Sequence, residues 1–299
     1  MTGNGAGGWA AAGAGVGEPR IVVRPDAPGA AAAVAEALVE ALAAGAGARG
    51  RADLASTGGS TPAAVYRALL AEPLRSRVPW SVLHLWVGDE RFVPRGDPDC
   101  NLSAIDRVLM PGDAGRGLPA APLDPAHVHP WPVDAALAAG ESPAACAARF
   151  EATLRCELET DTEGRPVFDA MLVGVGPDGH VLSVFPGSAA FDAPGWTTWA
   201  PAPAHLAPHL DRVTLTPAAL DATPGLVVAA FGAAKAAIVA ELLGPRRLAA
   251  PGRDAPGRDA PGRSERRLPA LRARRAGAAW ILDAAAAARL PEDDPRLAG

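Results

Sequence analysis

An aspartate and a histidine two residues apart, Asp178 and His180, stand in a glycine-rich break, Gly174-Val175-Gly176-Pro177-Asp178-Gly179-His180. Imidazole titrates near neutral pH, so it can take up a proton and give it back. A carboxylate beside it can orient the ring or cap a following helix. The break ends the apolar run Phe168–Val173, which reads as a buried strand of a parallel sheet, with a helix expected from about residue 181. Glycines at that point let the chain turn sharply and approach a ligand closely. Free amide groups at the start of the expected helix are candidate donors to a developing oxyanion.

Two further stretches share this form. Arg51–Thr57 runs into Gly58-Gly59-Ser60-Thr61-Pro62, and Trp80–Val87 runs into Gly88-Asp89-Glu90-Arg91. Ligands of open α/β sheets bind outside the carboxyl ends of the strands. The three polar tips are therefore expected on one edge of one sheet. Gly58, Gly59, Ser60 and Thr61 form a turn into a helix N-terminus, suited to an anion or a sugar hydroxyl. Arg91, Arg212 and Lys235 are candidate cations for an anionic ligand, and Asp89 and Glu90 would hold Arg91 in place or meet hydroxyls. Lys235 is the only lysine among 28 basic residues. A lysine kept against such an arginine bias suggests a site where guanidinium will not serve.

The elements that must position these groups alternate along the chain. Strands are expected at Ile21–Arg24, residues 51–57, 81–87 and 168–173, Arg212–Thr216, Leu226–Phe231 and Ala279–Leu282. Helices are expected at Ala30–Ala44, after Pro62, at Asn101–Met110, Ser142–Thr160, Ala233–Leu243 and Ala284–Leu290. Ala145, Phe150, Leu154 and Leu158 are the expected core positions of the fourth of these helices. Residues 111–141, rich in Pro, Gly and Ala, read as a long surface connection. The pattern predicts a doubly wound, mostly parallel sheet in a three-layer αβα, Rossmann-like domain spanning residues 19–290. Residues 1–18 read as a disordered tail and 291–299 as a second tail. The tandem PGRDA repeat at 251–263 marks a mobile insertion at about 246–268.

With 299 residues, 49% of them hydrophobic, the chain can bury a sizeable core. A net charge of −5 argues against a nucleic-acid partner, which would call for a basic stripe. No run reads as a membrane span or a secretory signal. Cys100, Cys146 and Cys156 have neither the count nor the spacing of a disulfide framework or zinc site. His127 and His129 can face one way on an extended segment, but no third ligand is near them in sequence. A metal is not expected.

Together GGSTP, GDER and GVGPDGH resemble the 6-phosphogluconolactonases, whose superfamily also contains the glucosamine-6-phosphate deaminases. The stretch Asp211-Arg212-Val213-Thr214-Leu215-Thr216 and the segment Gly232…Lys235 extend the resemblance. It covers roughly residues 20–285 apart from the insertion. The resemblance implies a cytoplasmic enzyme, monomeric or a small homo-oligomer, that hydrolyses a small sugar-phosphate lactone without a cofactor. His180 would be general base and then acid, with Asp178 orienting it. Substrate contacts are implied at Gly58, Gly59, Ser60, Thr61, Asp89, Glu90, Arg91, Asn101, Arg212 and Lys235.

In the related deaminases a carboxylate follows the histidine by five residues and completes a proton relay. Phe185 stands here and cannot move a proton, which disfavours the alternative of an amino-sugar-phosphate deaminase or isomerase. Val181 and Leu182 depart from the Thr-Ala usual in the lactonases, so shifted packing is expected there. A non-catalytic sugar-phosphate-binding protein is the other alternative. A dinucleotide-binding oxidoreductase is disfavoured because no acidic residue ends a strand about twenty residues after Gly174-Val175-Gly176.

Overall fold

The computed structural model describes residues 17–244, 268–291 and 294–297. Most of the expected N-terminal tail and nearly all of the expected insertion lie outside them. Ten strands are described: β1 (Arg20–Arg24), β2 (Ala52–Ser56), β3 (Leu83–Val87), β4 (Asp89–Arg91), β5 (Val128–His129), β6 (Ala170–Gly174), β7 (Thr197–Ala200), β8 (Arg212–Leu215), β9 (Gly225–Ala230) and β10 (Ala279–Asp283). The helices are α1 (Ala27–Arg49), α2 (Ser60–Leu70), α3 (Val133–Ala138), α4 (Pro143–Glu157), α5 (Pro217–Ala222), α6 (Ala236–Leu243) and α7 (Ala284–Ala287).

Seven strands form one sheet in the order β1-β10-β9-β6-β2-β3-β5, and every neighbouring pair is parallel. The chain steps from β2 to β3 to β5, returns to β6 on the other side of β2, and then steps through β9 to β10. α1 packs on α2 and against β1, β2, β6, β9 and β10, and the right-handed crossover rule puts the helices of the return steps on the opposite face. This is the expected three-layer architecture.

α1 begins where Asp26 accepts the Gly29 amide at 2.8 Å and ends at Gly50, whose φ of 69° suits a left-handed cap. It is long and apolar enough to cross a membrane, which the sequence reading did not register. Its apolar window is 56% buried, however, and Val34, Leu38 and Leu42 pack inside the fold. α4 starts as expected on Ser142, which accepts the Ala145 amide at 3.2 Å. Phe150, Leu154 and Leu158 are buried, but Ala145 is exposed, and Cys146 and Ala147 take its place in the core.

Other differences bear on the site. The stretch 111–141 is not only connection, since it supplies the edge strand β5 and helix α3. His127 and His129 meet His84 in a stack of rings, with His84 and His129 in a 2.9 Å hydrogen bond. Burial is the main cause that lowers His129 to about 4, with His84 and Arg51 adding to it. A second, antiparallel sheet of three strands, β4-β8-β7, was not expected at all. Gly88 joins it to the main sheet: its amide donates to Ser56 O at 2.7 Å and its carbonyl accepts the Leu215 amide at 2.9 Å.

Candidate active site

The carboxyl ends of β2 and β6 are neighbours from which the chain proceeds in opposite directions. That is the switch point of the sheet, where open α/β sheets bind ligands. A cleft of about 190 Å³ opens there. Its lining includes Gly58, Asp89, Arg91, Asn101, His180, Arg212 and Lys235, drawn from six separate segments of chain.

The histidine is held by a loop closed on itself. The Gly176 amide donates to His180 O at 2.9 Å, and the Gly179 amide donates to Gly176 O at 3.0 Å. Gly179 has a φ of 85°, a conformation that side chains resist. Nδ1 of His180 lies 2.5 Å from Oδ1 of Asp178, which also accepts the His180 amide at 3.2 Å. A carboxylate at Nδ1 fixes the proton on that nitrogen and leaves Nε2 with a free lone pair. Burial works to raise the Asp178 carboxyl, but hydrogen bonds from His180 and His205 hold it well below the usual carboxylate range. Asp178 is thus an anion behind the ring rather than a wall of the cleft.

No helix follows His180, contrary to expectation. Val181, Leu182, Val184 and Phe185 are all buried, so the segment has no polar face to leave in solvent as a surface helix would. Val181 bridges back to Val184, Leu182 takes a φ of 54°, and Pro186 follows. Asp178 therefore caps nothing, and an oxyanion donor from a helix start at 181 is ruled out. Leu182 instead lines the cleft and packs on Gly88.

The cations are arranged against their own repulsion. Arg91 and Arg212 are directly opposed partners on the antiparallel strands β4 and β8, where like charges are destabilising. Burial lowers Arg212, and Arg91 lowers it further. The buried Nε atoms of both residues have no hydrogen-bond partner. Arg91 otherwise donates to Asp99 O at 2.9 Å and to Asn101 Oδ1, and Arg212 to Pro208 O at 3.2 Å. Two half-satisfied guanidinium groups on one wall suit an anionic ligand. Lys235 stands on another wall, where its Nζ donates to Val175 O at 2.9 Å. Burial lowers its ammonium, and Asp178 partly restores it.

Other expected contacts prove to be supports. Asp89 lines the cleft, but its two oxygens are taken by the hydroxyls of Thr57 and Ser183, both at 2.7 Å. Glu90 does not line it. Its carboxylate accepts the amides of Arg91, Asn101 and Leu102 at 2.8, 2.6 and 3.0 Å, and so pins residues 101–102 to β4. Burial raises Glu90, and those amides offset the rise. Asn101 donates to Asp89 O at 2.7 Å. Gly58 is required because a Cβ there would come within 2.2 Å of Asn101 Oδ1. Gly59, Ser60 and Thr61 lie at the start of α2, outside the cleft lining. Sequence reasoning missed Thr57, Leu182 and His205 as parts of the site.

The sheet and its cleft define a doubly wound α/β protein with two opposed arginines, a lysine and an imidazole–carboxylate pair gathered at its switch point. The chain belongs to the glucosamine-6-phosphate isomerase/6-phosphogluconolactonase family, whose model matches residues 25–263. It is 33% identical over 280 residues to a 6-phosphogluconolactonase of Streptomyces coelicolor, covering 91% of this chain and 95% of that one. It is 31% identical over 283 residues to a 6-phosphogluconolactonase of Mycobacterium tuberculosis, covering 91% and 98%. A solved 6-phosphogluconolactonase from Trypanosoma brucei superposes with a TM-score of 0.68 at 27% identity, covering 92% of this chain and 99% of that one.

Proposed function

We propose that this chain is a cytoplasmic 6-phosphogluconolactonase in which His180 is the general base. The reaction is hydrolysis of 6-phosphoglucono-1,5-lactone to 6-phosphogluconate, a step of the oxidative pentose phosphate pathway. The observation that carries the reading is His180, braced by Asp178 at 2.5 Å, on the wall of a cleft that Arg91, Arg212 and Lys235 also line. Nε2 takes a proton from water as the oxygen attacks the lactone carbonyl. The tetrahedral intermediate then collapses, the ring C–O bond breaks, and the departing ring oxygen takes the proton back from His180. Asp178 stabilises the imidazolium between the two transfers. General acid–base help of this kind contributes about 10²–10⁴-fold, enough for an already reactive lactone. Phe185 packs against His180, with ring centroids 4.8 Å apart, where ring-opening chemistry would need a carboxylate.

The test is a timed assay on freshly generated 6-phosphogluconolactone with spontaneous hydrolysis subtracted, beside an ammonia-release assay on glucosamine 6-phosphate. Catalysed lactone loss without ammonia supports the reading, and the reverse result overturns it.

Arg212→Ala is expected to raise KM by about 10- to 100-fold with a smaller fall in kcat, since a hydrogen bond to a charged group contributes about 1.5–3 kcal/mol. Equal loss on phosphorylated and unphosphorylated lactones would remove Arg212 from the phosphate site. Lys235→Arg is expected to raise KM on the order of 10-fold with little change in thermal midpoint, because a planar fork replaces a compact ammonium in a confined place. An unchanged KM would leave Lys235 only its bond to Val175.

A further inference from the structure

Asp178 has two carboxylate oxygens, and His180 uses only one. Oδ2 lies 2.8 Å from Nε2 of a second imidazole, His205, so the carboxylate is clamped between two histidines. His205 comes from the connection between β7 and β8, far from the glycine-rich loop in sequence. That connection is braced. It carries Pro201, Pro203 and Pro208, which fix their own backbone torsions. Asp211 Oδ1 accepts the Ala202 amide at 2.9 Å, and His209 Nδ1 lies 2.7 Å from Pro203 O. Arg212 ties the same connection to the cationic wall through Pro208 O.

One aromatic ring spaces the two imidazoles. Phe185 lies 4.8 Å from His180 and meets His205 edge-on at 6.1 Å and 88°. The Arg212 guanidinium sits over the same ring at 5.4 Å. The position that lacks a relay carboxylate thus supports a different device, in which the single carboxylate is fixed from its far side.

We propose that His205 is a positioning residue that locks the Asp178 carboxylate in rotation and thereby holds His180 in its Nδ1–H form with Nε2 free. The inference deepens the assignment of His180 as base. A carboxylate bonded at one oxygen can swing about its terminal torsion, which is broad and weakly restrained. Lys235 supplies a competing attraction, because its ammonium interacts electrostatically with Asp178. A donor on Oδ2 opposes both movements. With its proton on Nε2, His205 donates to Oδ2 of Asp178. His205 is not among the residues that line the cleft.

The test compares His205→Ala and His205→Gln in the full chain. For His205→Ala, kcat on 6-phosphogluconolactone should fall about 10-fold with KM unchanged, a fraction of the whole general-base contribution. Imidazole ¹⁵N spectra should show His180 moving from a single Nδ1–H form to a mixture of tautomers. His205→Gln keeps an N–H donor in place of the imidazole, so it should restore most of kcat and return His180 to a single tautomer. A His205→Ala protein with wild-type kcat and an unmixed His180 tautomer would overturn the proposal. So would a His205→Gln protein, folded by its thermal midpoint, that is as slow as the alanine variant, since that marks proton relay rather than positioning. The ¹⁵N measurement reads the clamp even if His180→Ala proves fully active, which would defeat the base assignment alone.

Discussion

His180→Ala is expected to lower kcat on 6-phosphogluconolactone by on the order of 10²-fold or more, with KM changed only slightly. Among the residues lining the cleft, His180 alone pairs an imidazole with a bound carboxylate, so no neighbour can take over the proton transfer. The wall that carries Arg91 and Arg212 is built from β4 and β8 and does not depend on the ring. Substrate should therefore still bind. The variant should keep only the background contribution of positioning and charge. Steady-state kinetics with spontaneous hydrolysis subtracted check both points. A variant with near wild-type kcat removes His180 from the mechanism.

The strand-end motifs were legible because each carries a local signal: an apolar run, then glycine, then polar residues. Ser56, Val87 and Gly174 do end parallel strands, and the groups just beyond them do gather at one cleft. What could not be read depends on pairing across long separations. β4 and β8 are three and four residues long, and their partnership joins segments 121 positions apart at the Arg91–Arg212 pair. Nothing in either segment alone announces that two arginines will face each other. The segment after His180 misled for a related reason. A helix was expected there, but the Ser183 hydroxyl donates to Asp89 Oδ2 and its amide to Thr214 Oγ1, which draws the chain down beside β4 and β8. Glu90 could be read either as holding Arg91 or as meeting hydroxyls; only the fold shows its oxygens filled by backbone amides. His205 sits in a proline-rich connection with no periodicity, and its meaning comes wholly from Asp178.

Gly176→Ala is expected to be nearly as damaging as loss of the histidine, although it removes no chemical group. A Cβ at residue 176 would stand 2.0 Å from Nδ1 and 2.1 Å from Cε1 of His180. No real contact is that short, so the ring must leave. With it goes the 2.5 Å bond to Asp178 and the aim of Nε2 into the cleft. The backbone itself has no objection to alanine, since Gly176 is not among the positive-φ glycines, whereas Gly179 is, at 85°. Replacing a glycine of ordinary conformation stiffens the unfolded chain and is stabilising by about 0.4–1 kcal/mol. The cost therefore falls on the ring and its loop rather than on the fold as a whole. We expect kcat reduced on the order of 10²-fold, a thermal midpoint within a few degrees of wild type, and KM little changed. The Gly176→Ala/His180→Ala double variant decides the cause. With the imidazole gone the three nearest atoms that the methyl group would strike are gone, so the double variant should be no slower than His180→Ala alone and should be at least as stable as it. Additive losses in kcat would mean that Gly176 acts through something other than His180, and a fully active Gly176→Ala enzyme would mean that the ring need not occupy the place the loop makes for it.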